Sequence, residues 1–294
     1  MHSENLSLML PISIRTKFHT IEGLEWGNPQ GIPILCFHGW LDNANSFLPL
    51  SKYFPEYRFI SIDFPGHGKS SHKPENTVYY FAEYALEIVS IAQTLGLEDF
   101  ILMAHSMGAA ISTLVAGTNL LKIKKLILIE ALGPLTNVSQ SAPDIMSEAI
   151  KQILHPRGKK ETYFPNMESA ITIRLRAGDM NQNSASLLME RGIEKTPRGL
   201  KPRRDIRLHF NSFFRYTEEQ VVSFCERIEC PTLLILGDKS NFPIVSSFPN
   251  RKSAVKNLME VILSGGHHLH MDHPEKVAHV IHQFLNEETS KDTK

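Results

Sequence analysis

Ser106 in MAHSMGA (Met103–Ala109), His267 in SGGHHLHMDHPEKV, and the carboxylates Glu130 and Asp238 are the side chains that could together attack a carbonyl carbon. A serine hydroxyl is a weak nucleophile until an imidazole takes its proton. The imidazole in turn needs a carboxylate to fix its tautomer and stabilise its charged form. Ser106 lies in Ala104-His105-Ser106-Met107-Gly108, one residue short of G-x-S-x-G because an alanine replaces the first glycine. That pattern turns a strand sharply into a helix and exposes the hydroxyl at the carboxyl edge of a sheet, small neighbours relieving the crowding. Alanine is small enough for the turn. The plainer alternative for the pentapeptide alone is a helix-capping serine.

The chemistry also needs donors for the oxygen on which negative charge develops. In LCFHGW, His38-Gly39 lets the chain turn so that the backbone N–H of Trp40 can point at that oxygen. The N–H of Met107, at the helix start, is the second candidate. His267 follows Gly265-Gly266, on a loop able to carry an imidazole over Ser106. His268, His270, His273 and Asp272 crowd the same stretch, but the run lacks a third ligand at a recognisable metal spacing, so no metal is expected. For the acid, Glu130 ends the apolar run LILIEALGP, where an unpaired carboxylate is costly; this favours a partner such as His267. Asp238, one residue past Gly237, is the alternative acid, with a simple turn former as its plain reading.

These residues must be positioned by strands and turns, and the chain supplies them. IPILCFHG, YRFISI, DFILMA, IKKLILIE, CPTLLILGD and LMEVIL are short continuous apolar runs, as expected of strands buried on both faces. The run VYYFAEYALEIVSIAQTLGL has helical spacing and stops at Gly96; a helix starts at about Met107, and another spans about Pro274 to Leu285. Alternating strand and helix predicts right-handed βαβ units and a mostly parallel central sheet flanked by helices. After Pro134 the pattern becomes polar and helical, without a clear buried strand. A core of residues 1–134 and 230–294 interrupted by a helical insertion of residues 135–229 is expected.

Composition narrows the partners. Lys plus Arg and Asp plus Glu both total 31, so no global field favours nucleic acid or an anionic membrane. Three cysteines, Cys36, Cys225 and Cys230, make no disulfide framework, and Cys36 reads as a buried strand residue. No basic leader precedes the apolar run broken by Pro11, and no run reaches the length of a membrane span, so a soluble cytoplasmic protein is expected. In the insertion, Arg191, Lys195, Arg198, Lys201, Arg203, Arg204 and Arg207 could capture an anionic acyl substrate or simply form a solvated surface. FNSFFRY (Phe210–Tyr216) could pack the insertion onto the core or line an acyl pocket.

HGWLDN, DFPGHGKSS, AHSMG and GGHHLHMDHPEKV, in this order and with a helical insertion, resemble the α/β-hydrolase superfamily. HGWLDN and the stretch LLMERGIEKTPRGLKPRRDIRL bring the likeness closer to the serine hydrolase-like proteins, from about Ile14 to Leu285. The resemblance implies an α/β-hydrolase fold in which residues 135–229 form a helical cap inserted after the sixth strand, with Ser106 as nucleophile, His267 as general base and the amides of Trp40 and Met107 as oxyanion hole. It departs at the acid. The superfamily's usual position, three residues past the glycine of LGDKS, holds Ser240, whereas its other position, after the strand that follows the nucleophile helix, holds Glu130. The expected activity is hydrolysis of a small to medium carboxylic ester or thioester, with no cofactor. Cleavage of a carbon–carbon bond in a β-diketone-like acid is the alternative within enzymes. A ligand-binding protein that has lost its acid is the alternative outside them.

Overall fold

The computed structural model describes residues 9–156, 161–240 and 249–287. Among the described residues there are ten strands: β1 (Leu10–Arg15), β2 (Thr20–Gly27), β3 (Pro33–Phe37), β4 (Arg58–Ile62), β5 (Phe100–His105), β6 (Ile123–Ile129), β7 (Ile193–Thr196), β8 (Gly199–Pro202), β9 (Thr232–Gly237) and β10 (Leu258–Leu263). Eight form one sheet in the order β1-β2-β4-β3-β5-β6-β9-β10. From β4 to β10 all neighbours are parallel; β1 and β2 form an antiparallel hairpin that joins the sheet through β4.

The continuous apolar runs of the central strands are explained by two buried layers; LMEVIL, expected to be buried on both faces, is instead the edge strand β10, with Glu260 and Ile262 exposed because no described strand follows it in the sheet. Leu35, Phe37, Leu102, Ala104, Leu126, Leu128, Leu234 and Leu236 face one cluster. Their alternate neighbours Ile34, Cys36, Ile101, Met103, Ile127, Ile129, Leu233 and Ile235 face the other. A strand whose successive side chains both find a core carries no polar alternation. Helices α1 (Leu48–Ser51), α2 (Glu83–Thr94) and α3 (Met107–Thr118) follow β3, β4 and β5. Cys36 is fully buried, as its sequence context predicts.

Between β6 and β9 lie α4 (Ala142–Leu154), α5 (Met167–Ala177), α6 (Gln182–Gly192), the hairpin β7–β8, and α7 (Glu218–Cys225). α6 rests on the turn after β3, where Asn43 Nδ2 donates to the Leu188 carbonyl and Asn45 Nδ2 to that of Leu187, both at 2.8 Å. α7 behaves differently: Val221 and Cys225 belong to the same buried cluster as α3 and the sheet, so the end of the 135–229 segment packs as core. α8 (Pro249–Ala254), α9 (Leu269–Asp272) and α10 (Pro274–Asn286) complete the chain.

Three local features depart from the sequence reading. The hairpin β1–β2 and the hairpin β7–β8 were not anticipated, because their burial patterns are half-exposed rather than continuous. α2 begins at Glu83, not at Val78, because Tyr79 leaves the helical path to donate its hydroxyl to Asp205 at 2.9 Å. The basic residues of the insertion are largely paired: Arg191 grips buried Asp63, Arg207 grips Asp205, and Lys201 and Arg203 meet Glu161 and Glu194. Among the described residues no helix is long and apolar enough to cross a membrane.

Candidate active site

The register of the parallel strands brings the sequence candidates to one edge. His105 pairs with Ile129, and Ile129 with Ile235, so the residues just past β5, β6 and β9 stand side by side. The ladder continues one step further, with Ser106 N–H donating to Ile129 O and Glu130 N–H to Ile235 O, both at 2.9 Å. Ser106 and Glu130 therefore leave adjacent strands at the same level. Both have positive φ: Ser106 at φ 50°, ψ −114°, and Glu130 at φ 65°. Non-glycine residues pay for such backbone geometry, and surrounding structure must hold it. For Ser106 the holding is close packing: a Cβ on Gly108 would lie 2.3 Å from Phe37 O and 2.8 Å from His38 O. Glycine is required at 108, whereas Ala104 fits within the buried strand.

His267 arrives from the loop after β10. That loop passes over the end of β9, where a Cβ on Gly237 would lie 2.4 Å from Gly265 O. His267 Nδ1 is 2.9 Å from Glu130 Oε2, and its Nε2 is 2.9 Å from Ser106 Oγ. A carboxylate only accepts, so Nδ1 carries the proton, Nε2 is the bare nitrogen, and the Ser106 hydroxyl donates to it. Glu130 is 1% exposed and satisfied on both oxygens: Gly237 N–H donates to Oε1, and the Ser240 hydroxyl donates to Oε2. Ser240 thus supports the carboxylate from the position where an acid might have stood. Asp238 is not brought to His267. It is exposed and accepts from Gly265 N–H at 3.0 Å, a turn-forming role.

The loop after β3 is fixed by His38. Its Nδ1 donates to Gly39 O at 2.7 Å, and its Nε2 accepts from Phe64 N–H at 3.0 Å. Burial lowers the pKa of His38, which suits this neutral tautomer. Asp42 N–H also donates to Gly39 O. In a trans peptide C=O and N–H point opposite ways, so holding the Gly39 carbonyl orients the Trp40 N–H away from His38. Among the described residues neither the Trp40 nor the Met107 N–H has a hydrogen-bond partner. The Trp40 indole points elsewhere: its Nε1 donates to Leu208 O at 3.2 Å.

Two contributors were not legible in the sequence. Asp179, in the loop after α5, accepts from His267 N–H at 3.1 Å and so ties the insertion to the histidine loop. A Cβ on Gly266 would lie 2.2 Å from its carboxylate, so the second glycine of SGGHH leaves room for Asp179 to approach the loop. Asp42, quoted within HGWLDN without a role, is buried and ion-paired with Arg174 of α5. His270 hydrogen-bonds Ser46, and Asp272 accepts from Asn181 N–H and the Ser184 hydroxyl, so these two residues of the histidine-rich stretch serve packing and the insertion.

With fold and geometry in place, comparison with known proteins gives the class. The alpha/beta hydrolase fold family matches residues 32–274, and the chain belongs to that family, among the serine hydrolase-like proteins. A serine hydrolase-like protein of Dictyostelium discoideum is 31% identical, over 91% of this chain and 79% of its own. A probable serine hydrolase of Drosophila melanogaster is 30% identical, over 94% and 87%. Among solved structures, a hypothetical protein of Pseudomonas aeruginosa PAO1 is 35% identical with TM-score 0.87, over 93% of this chain and 97% of its own. The thioesterase domain from the curacin biosynthetic pathway is 25% identical with TM-score 0.81, over 93% and 99%.

Proposed function

We propose that this chain is a serine hydrolase that cleaves a carboxylic ester or thioester of a small to medium acyl group through an acyl-enzyme. The observation that carries this reading is the unbroken hydrogen-bond chain from Ser106 through His267 to Glu130. Ser106 Oγ attacks the carbonyl carbon while His267 Nε2 takes the hydroxyl proton. The Trp40 and Met107 amides receive the oxyanion, and being fixed they need no reorganisation. His267 returns the proton to the leaving alcohol or thiol, which departs and leaves the acyl group on Ser106. A water, deprotonated by His267, then releases the acid and restores the serine. Glu130 holds the imidazole tautomer and offsets the charge it gains.

A short ester or acyl thioester needs no metal or organic cofactor for these steps. The likeness to a thioesterase domain supports keeping thioesters beside oxygen esters. The test is a panel of p-nitrophenyl esters and acyl-CoA thioesters, assayed with wild type and Ser106→Ala. At least one class is hydrolysed by the wild type, with a loss of about 10³-fold or more in the variant. Equal turnover by both proteins would overturn the proposal.

A further inference from the structure

Behind His267 lies a second cluster that the reaction above does not use. Asp42, His105 and His268 are all buried, and one potential ligand atom from each lies within 4.8 Å of the other two. Asp42 Oδ2 is 3.2 Å from His268 Nε2 and 3.8 Å from His105 Nδ1. The remaining nitrogen of each ring is committed to a backbone carbonyl. His105 Nε2 meets His267 O at 2.8 Å, and His268 Nδ1 meets Asp179 O at 3.1 Å.

A carbonyl oxygen can only accept, so His105 Nε2 and His268 Nδ1 carry protons. In the neutral rings the lone pairs of His105 Nδ1 and His268 Nε2 then face Asp42 Oδ2, itself an acceptor. Three acceptors converge on one point with no donor among them. His105 Nδ1 is buried and has no hydrogen-bond partner. Asp42 is ion-paired with Arg174 of α5. Arg174 occupies only Oδ1, which leaves Oδ2 free for the cluster.

Three acceptors without a donor call for a cation, and the space for one exists. A Cβ on residue 39 would lie 2.9 Å from His105 Nδ1 and 3.1 Å from Asp42 Oδ2, and glycine leaves that volume open. Ligands at about 2.0–2.1 Å from a tetrahedral ion are separated by about 3.3 Å, near the two separations here. Histidines that ligate metal commonly donate their other N–H to a carbonyl or carboxylate, as both of these do. We propose that Asp42 Oδ2, His105 Nδ1 and His268 Nε2 form a buried site for one divalent transition-metal ion of the zinc class. This departs from the sequence expectation of no metal, because two of the three ligands lie outside the histidine-rich stretch and meet it only in space.

The test is titration of the metal-free full chain with Co(II), read by the visible absorption of four-coordinate cobalt, followed by displacement with Zn(II). Wild type takes up one equivalent with that absorption. His268→Gln or Asp42→Asn, each confirmed folded by its thermal transition, weakens binding at least tenfold. His279→Gln, at an exposed histidine of α10, leaves it unchanged. Whichever ligand variant folds decides the matter. Absence of the absorption in wild type at millimolar Co(II), or equal affinity in the folded ligand variants, overturns the proposal and leaves the cluster as a proton-bridged ion pair of His268 and Asp42. The readout is independent of hydrolysis, so its failure and the failure of the serine reading are distinguishable.

Discussion

Replacing Glu130 by glutamine keeps the side-chain shape and removes its charge, at a place where every lone pair has a role. Oε1 accepts from Gly237 N–H, and Oε2 accepts from Ser240 Oγ and His267 Nδ1. The amide can serve only one of these sides. If its oxygen faces His267, its NH₂ meets the Gly237 N–H, and two donors confront each other in a buried place, costing about 1–3 kcal/mol of stability. If it flips, the NH₂ faces His267 Nδ1 and favours the tautomer with the proton on Nε2, the nitrogen that must take the proton of Ser106. Either way the imidazolium loses its counter-charge. Loss of an equivalent buried carboxylate costs about 10⁴ in rate in the serine-protease triad, so about 10³–10⁴-fold is expected here, or about 4–5.5 kcal/mol of barrier. The assay is kcat/KM on whichever p-nitrophenyl ester the wild type hydrolyses, with Asp238→Asn as comparison. Asp238→Asn stays within about threefold, since its carboxylate contacts Gly265 N–H and not His267. A Glu130→Gln rate within threefold of wild type, or a larger loss in Asp238→Asn, refutes the assignment of the acid.

Ser240→Ala removes one donor to Glu130 Oε2 and leaves His267 in place. An activity loss of about 10–150-fold with an intact fold is expected, in line with about 1.5–3 kcal/mol for one hydrogen bond to a charged group; an unchanged kcat/KM would contradict it. Arg191→Ala strips the guanidinium from Asp63, which is fully buried. Chemical denaturation should show a loss of about 3 kcal/mol, and a change under 1 kcal/mol would mean the pair is not holding α6 to the core. Stability should also fall in mild acid. His67, His105 and His270 have folded pKa values lowered by burial, to about 3 for His67. Below about pH 6.5 the unfolded chain binds protons that the folded chain refuses, so stability is full above that pH and falls as pH drops, by up to about 1.4 kcal/mol per pH unit for each histidine. Asp42, depressed in the fold, adds a loss in the same direction only below about pH 4. A denaturation midpoint constant from pH 7 to pH 5 would contradict this.

The central parallel strands were legible because burial on both faces leaves a largely apolar run, as in β4, whose sequence span coincides with the observed Arg58–Ile62, whereas β10 was found from its apolar residues although it is a half-exposed edge strand. Ser106, His267 and Glu130 were legible for related reasons: each follows a strand end, and a glutamate closing an apolar strand needs a partner. Contributions made through space were not legible. Ser240 and Asp179 act by hydrogen bonds across long sequence separations: the sequence marks Ser240 only as standing where an acid is usual, not as a donor to Glu130, and nothing in RAGDM marks Asp179. His38 was read only as part of a turn, whereas its two ring nitrogens pin the loop that orients the Trp40 amide. The hairpins escaped because their half-exposed strands lack the continuous apolar run of the central ones, and the helical spacing overreaches the start of α2 because Tyr79 and Phe81 continue it while packing outside the helix.

The central claim is that His267 and the strained turn make the Ser106 hydroxyl an activated nucleophile. The most direct measurement is intact-mass labelling with a fluorophosphonate, which needs no knowledge of the substrate. Wild type should gain one phosphonyl group rapidly, with peptide mapping placing it on Ser106, and Ser106→Ala should gain none. Folded wild type that fails to label, or a variant that labels as fast, would contradict the account.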